Sequence, residues 1–209
     1  MADAPRTETE AANGALRKIG EPPIADLDAG TNLAARTARA AFGRVRDEVL
    51  EETEWNFATA WQTLAADAEE HPGPLKKRYP LPGDCIKVRF VEGLGEDAWA
   101  VEALERTDAA GATIETKVLT TNADAPNICY TRRVRKVALW SATFVAAFEL
   151  KLAGELAAAL GREPGVGTAL DDRGDAKARK AARSDAREKA PTTISRDTSW
   201  IAARRGGRP

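Results

Sequence analysis

Trp140, Phe144, Phe148, Leu152 and Leu156 recur at every fourth position, in the most apolar stretch of the chain. That interval places side chains on one face of an α-helix. Val145 and Leu150 widen the face. An apolar surface this broad must be covered by the rest of the chain, so residues 137–160 are expected to form a helix at the centre of the core. Gly161 and Pro164-Gly165 mark its end.

Two amphipathic segments precede it. Ala12, Ala15, Leu16 and Ile19 share one helical face, Gly20 is suited to a left-handed cap, and Pro22-Pro23 prevents continuation. Thr31 or Asn32 is placed to cap a second helix. Its stripe is Ala38, Phe42, Val45 and Val49, and Arg44, Arg46, Asp47, Glu48, Glu51 and Glu52 occupy other faces. Trp55, Phe57, Trp61 and Leu64 extend the pattern, so helix is expected from residue 10 to about 66, broken only between these segments. Pro72-Gly73-Pro74 closes this half.

The period then changes to two. Ile86, Val88 and Phe90 alternate with Lys87 and Arg89, followed by a turn at Gly93 and Gly95. Trp99 and Val101, then Ile114, Thr116 and Val118, then Ile128 and Tyr130 give three more strands, with a turn signal at Asp108 to Gly111. Residues 84–134 are therefore expected to form a small antiparallel sheet inserted between helices.

Beyond the central helix, Gly161 to Thr168 has the glycine density of a phosphate loop. It lacks the lysine that would precede Thr168 and it follows a helix, so a hinge is expected instead. Residues 176–189 read as an Ala/Arg/Lys-rich helix with too few large apolar side chains to bury much alone. From Pro191 the chain reads as an extended arm. The fold class is thus α+β: mainly a helical bundle with an inserted small antiparallel sheet and an extended C-terminal arm, divided into residues 1–170 and a basic segment, 171–209. Net charge is −1, but residues 171–209 carry eleven Lys or Arg against six Asp or Glu, while the remainder is −6. A basic tail on an acidic body suits nucleic acid, acidic surfaces or plain solvation.

Catalytic chemistry finds little support. His71 is the sole histidine, lies in a Pro/Gly loop without a GxSxG partner, and reads as solvated. With Cys85 and Cys129, neither in CxxC spacing, it leaves too few ligands for zinc, and the two thiols read as structural ones in a reducing compartment. No cofactor is implied. Glu48, Glu51, Glu52 and Glu54 could serve glycosidic hydrolysis only if one were held protonated in an apolar pocket; a solvated helix face is the plainer reading. Arg132, Arg133, Arg135 and Lys136 form a basic knot that fits a solvated turn, a subunit contact or a phosphate contact without aromatic stacking. No apolar run approaches membrane-helix length, and Met1–Glu8 lacks the apolar stretch of a signal peptide, so synthesis in the cytoplasm is expected. Trp200, beside Ile201 and followed by Arg204 and Arg205, has no local core to join, which suits a peptide that docks on another chain.

Several segments in order resemble one family. They are Ala15–Ile24 (ALRKIGEPPI), Ala35–Leu50 (ARTARAAFGRVRDEVL), Trp55-Asn-Phe-Ala, Tyr79–Cys85 (YPLPGDC), Val118–Pro126 (VLTTNADAP), Phe144–Ala157 (FVAAFELKLAGELA), Ser184-Asp-Ala-Arg-Glu and Trp200-Ile-Ala-Ala-Arg. Their order and spacing resemble the tail tubular protein A, or head-to-tail adaptor, of short-tailed bacteriophages. The resemblance implies a structural virion protein rather than an enzyme: a connector made in the host cytoplasm and placed at the head–tail junction. It implies a homo-oligomeric ring of about twelve copies, a dodecamer, with genomic DNA passing through the lumen without specific binding and no membrane partner. The partners implied are the portal protein and a tail nozzle resembling tail tubular protein B. The arm would face the portal, making Trp200, Ile201, Arg204 and Arg205 its docking residues. Glu48, Glu51 and Glu52 are candidates to face the lumen, where negative walls would keep DNA from adhering. The basic stretch Arg173–Lys189 departs from the family pattern. Two other classes remain open on the residues alone: a virion-associated peptidoglycan hydrolase using Glu48 to Glu54, and a nucleic-acid-binding protein using its basic tail.

Overall fold

The computed structural model describes residues 7–107, 113–163 and 165–188. The chain runs through helices α1 (Glu8–Lys18) and α2 (Leu33–Glu52), six strands, and helices α3 (Ala142–Ala159) and α4 (Val166–Glu188). The strands are β1 (Thr59–Thr63), β2 (Lys77–Pro80), β3 (Cys85–Val91), β4 (Trp99–Thr107), β5 (Thr113–Thr121) and β6 (Asn127–Arg132).

Local chemistry sets the helix ends. Thr7 and Glu10 cap α1 reciprocally, each side chain bonding the other's backbone N–H. Gly20, at φ 70°, follows its end as the sequence suggested. Asn32 caps α2 by accepting from the Ala35 N–H at 2.8 Å, and Ser141 caps α3 by accepting from Phe144 at 3.2 Å.

The helical reading of residues 53–66 is corrected. α2 stops at Glu52, Thr53 is extended, and the chain folds back so that the buried Trp55 indole donates to the Val49 carbonyl at 2.8 Å. That bond satisfies one of the acceptors a helix end leaves open. Residues 59–63 then pair antiparallel with β6, with Trp61 opposite Cys129. Trp140 repeats the device, donating to the Val134 carbonyl at 2.9 Å just before α3.

Six strands form two antiparallel three-stranded sheets, ordered β1–β6–β3 and β2–β5–β4, rather than the one sheet expected. Strands at 85–91, 99–107, 113–121 and 127–132 lie where alternation placed them; β1 and β2 are additional. The sheets close on a small core of Leu64, Tyr79, Val88, Val91, Leu119, Ile128 and Tyr130. Residues 65–76 are pinned over the far side of β2–β5–β4. Arg78 pairs with Asp67 and Glu69 at 3.2 and 2.7 Å, and His71 Nε2 meets Glu102 at 3.1 Å. Because His71 Nδ1 accepts the Gly73 N–H, Nε2 is the donor to Glu102, and the ring is largely buried rather than solvated.

A larger core unites the helices. Phe144 and Phe148 are fully buried and make edge-to-face contacts with Trp55 and Trp140, and Phe42 of α2 meets Phe148 edge-on at 4.9 Å. α4 begins at Val166, ten residues earlier than expected, and runs unbroken across residue 170. It packs on α3 although it offers mainly Leu170, Ala178 and Ala181 to the core. Glycines make this possible: a Cβ on Gly154 would stand 3.0 Å from the Gly167 carbonyl oxygen, and one on Gly167 3.0 Å from that of Gly154. Backbones brought this close gain dispersion contacts without large side chains. Of the segment 161–168, residues 166–168 are thus the closely packed first turn of α4.

Candidate assembly surfaces

Of the three acidic side chains singled out on α2, two are engaged. Lys151, with its side chain only 5% exposed, points from α3 between α2 and α4 and holds Glu52 at 2.6 Å, Glu48 at 3.2 Å and Asp175 at 2.7 Å. Asp171 stands further off at 3.9 Å. Burial by itself would lower the ammonium's pKa, but hydrogen bonds to Asp175, Glu52 and Glu48 hold it above the ordinary lysine range. The Asp171 carboxyl is pushed up, chiefly by burial, with Lys151 opposing and the charges of Asp175 and Glu48 adding. Glu51 alone remains exposed and outside this cluster. A general acid must keep its proton in an apolar pocket. Carboxylates that accept from an ammonium are arranged for the opposite purpose, here joining three helices. The clue in the sequence was Lys151 itself, a charge within the most apolar helix.

Other ion pairs stitch the same body. Lys18 joins α1 to Glu149 of α3 at 2.7 Å, Arg44 joins α2 to Glu155 of α3 at 2.6 Å, and Arg162 bonds Glu21. Two arginines tie the sheets to α2 and to the segment that follows it. Arg133 donates to Asp47 of α2 at 2.7 Å, so part of the basic knot is an internal strut, while Arg135 and Lys136 are exposed. Arg89 donates to the hydroxyls of Thr131 and Thr59 and to the Trp55 carbonyl, at 2.8 to 3.2 Å.

The outer face of β1–β6–β3 carries a feature that the sequence reading did not single out. Trp61 and Phe90 flank Cys129 from opposite sides, their rings edge-to-face at 5.2 Å, yet they remain 53% and 41% exposed. Its signal was alternation: with Trp61 assigned to a helix, no outward aromatic pair could be foreseen. Trp200, Ile201, Arg204 and Arg205 lie outside the described residues.

Among the described residues, no group of three or more His, Cys, Asp or Glu is arranged to hold a metal ion, and no helix is long and apolar enough to cross a membrane. An open cleft of about 350 Å³ between the end of α3 and the start of α4 is lined by residues including Gly154, Glu155, Arg162 and Asp171. Cys85 is unsuited to nucleophilic work, since burial pushes its thiol up to about 11.

A two-core α+β chain with inter-element ion pairs and exposed apolar and basic surfaces has the makings of an assembly component. The family model described as tail tubular protein matches residues 9–120, just over half of the chain, from α1 nearly to the end of β5. The chain belongs to that family. It is accordingly a structural protein of the bacteriophage tail, and a component of the virion. No match was found among curated proteins.

Proposed function

We propose that this chain is the head-to-tail adaptor: a non-enzymatic subunit that forms a ring between portal and tail nozzle, through which the genome passes. The family match supports a tail component, and the observation that carries the finer role is the firm seating of α4 beside the segment that follows it. Lys151 and the Gly154–Gly167 approach hold α4 against α3, and the basic run from residue 189 onward follows α4 in the sequence. That run contains Trp200, Ile201, Arg204 and Arg205, an aromatic anchor with positive flanks suited to docking on another chain. In this role the portal is its acceptor.

The α2 carboxylates fit a lumen wall less evenly than their sequence suggests. Lys151 neutralises part of the charge on Glu48 and Glu52, leaving Glu51 to carry most of any repulsion toward DNA.

Protein lacking residues 190–209, mixed with the phage's portal, tests the docking. Loss of co-elution with portal, while the truncated chain keeps the helical circular dichroism of the full one, is the expected result. Undiminished binding would overturn the assignment of the arm.

A further inference from the structure

β4 and β5 remain paired from Trp99–Thr121 to Thr107–Thr113, but β2 accompanies β5 only over Val118–Thr121. Their far half is therefore a two-stranded ribbon, an arrangement marginally stable by itself. Within it Glu105 stands directly opposite Glu115, and both are exposed. Like charges at opposed positions destabilise a ladder. Lys117, on the same strand as Glu115, is opposite Ala103 and makes no ion pair with either glutamate among the described residues. Four residues before Glu105, at about 3.3 Å per residue or roughly 13 Å, Val101 is 41% exposed.

The outer face of β1–β6–β3 has the complementary pattern. Its apolar element is the Trp61–Phe90 pair over Cys129. Lys87, opposite Thr131 and exposed, is the next position along that face. A basic run follows at the end of β6 with Arg132 and Arg133, the second of them paired with Asp47. It continues into exposed Arg135 and Lys136. Each surface thus sets charge beside an apolar element, acidic on the ribbon and basic at Lys87 and past the end of β6.

We propose that these two surfaces are partners, the far β4–β5 ribbon of one copy docking on the outer β1–β6–β3 face of a second copy of this chain. Val101 meets Trp61 and Phe90, while Glu105 and Glu115 face Lys87, Arg135 and Lys136. Because the two surfaces differ, the contact is heterologous and leaves the pair with one free surface of each kind, one on each copy, as a closed ring requires. The inference rests on the ring-forming function proposed above and names the faces that would build it.

Light scattering of the full-length chain, alone at high concentration and with portal, reads the assembly. E105K/E115K and K87E/R135E/K136E should each weaken association by more than about tenfold, since like charges would then oppose across the contact. An equimolar mixture of the two variants should recover assembly, because every copy then meets a neighbour of opposite charge; misfolded variants would not recover. Variants that assemble as the wild type does, or a mixture no better than its components, overturn the proposal. Equal copy number of wild type and E105K/E115K on portal overturns this interface while leaving the adaptor function standing. Wild-type protein that neither self-associates nor loads onto portal overturns both. Tryptophan quenching by single-stranded oligonucleotides, with unchanged assembly of both variants, would assign the Trp61–Phe90 face to nucleic acid instead.

Discussion

The Nζ of Lys151 lies 2.6 Å from a Glu52 carboxylate oxygen and 2.7 Å from one of Asp175, so a single buried ammonium joins α2, α3 and α4. Its removal would leave several carboxylates facing each other with no cation between them. Lys151→Met should lower stability by about 3 kcal/mol at pH 7, the modest end for a broken buried pair because the carboxylates are partly exposed. Urea unfolding measures it. As the folded pKa is raised, this contribution is complete below the ordinary lysine value of 10.5 and is lost only as pH rises above it. The gap between wild type and variant should therefore stay constant from pH 7 to 10 and narrow beyond.

Asp171 provides the opposite sign. Its folded carboxyl is raised above the ordinary 3.8, so ionising it costs stability. That cost is absent in strong acid and complete once pH exceeds the folded value. Asp171→Asn should stabilise the protein at pH 7 by no more than about 0.5 kcal/mol, because more than half of the side chain is solvated. The gain should vanish below pH 3. Thermal melting at the two pH values decides it.

Gly154→Val would press two methyl groups toward the Gly167 carbonyl, which a Cβ alone would approach to 3.0 Å. Overpacking of this kind costs about 1–3 kcal/mol. The expected signature is local: faster amide exchange in α4, with α1 little changed.

Trp55→Ala should destabilise by about 3–5 kcal/mol, the range for emptying a large buried aromatic site. The ring is fully buried, meets Phe144 edge-to-face at 5.1 Å and donates to Val49. A chemical denaturation curve with an unchanged slope and a lower midpoint is the expected result.

Cys85 should alkylate slowly. With its thiol at about 11 instead of 9.0, the reactive thiolate is roughly a hundredfold scarcer at pH 8 than for an unshifted cysteine. Iodoacetamide labelling, followed by mass spectrometry, should accelerate up to about pH 11.

Alternation and four-residue spacing exposed much of the fold in advance: α1, α2, α3 and four of the six strands. They failed between residues 53 and 66, where Trp55, Phe57, Trp61 and Leu64 mimic a helical stripe. Short apolar runs satisfy both periods, and the choice fell to β6, which supplies five paired positions to β1. The α2 glutamates were visible as charges; that two of them grip Lys151 was not, since the contact joins residues about a hundred positions apart.

The sequence by itself determined what is local. Caps at Asn32 and Gly20, the apolar face of α3 and the change from helical to strand period all follow from side chains within a few residues of one another. Tertiary structure alone decided the pairing of six strands into two sheets, the seating of α4 on α3 through Gly154 and Gly167, and the exposure of Trp61 and Phe90 together. Those outcomes depend on which distant surfaces meet, and a linear pattern records each surface without naming its partner.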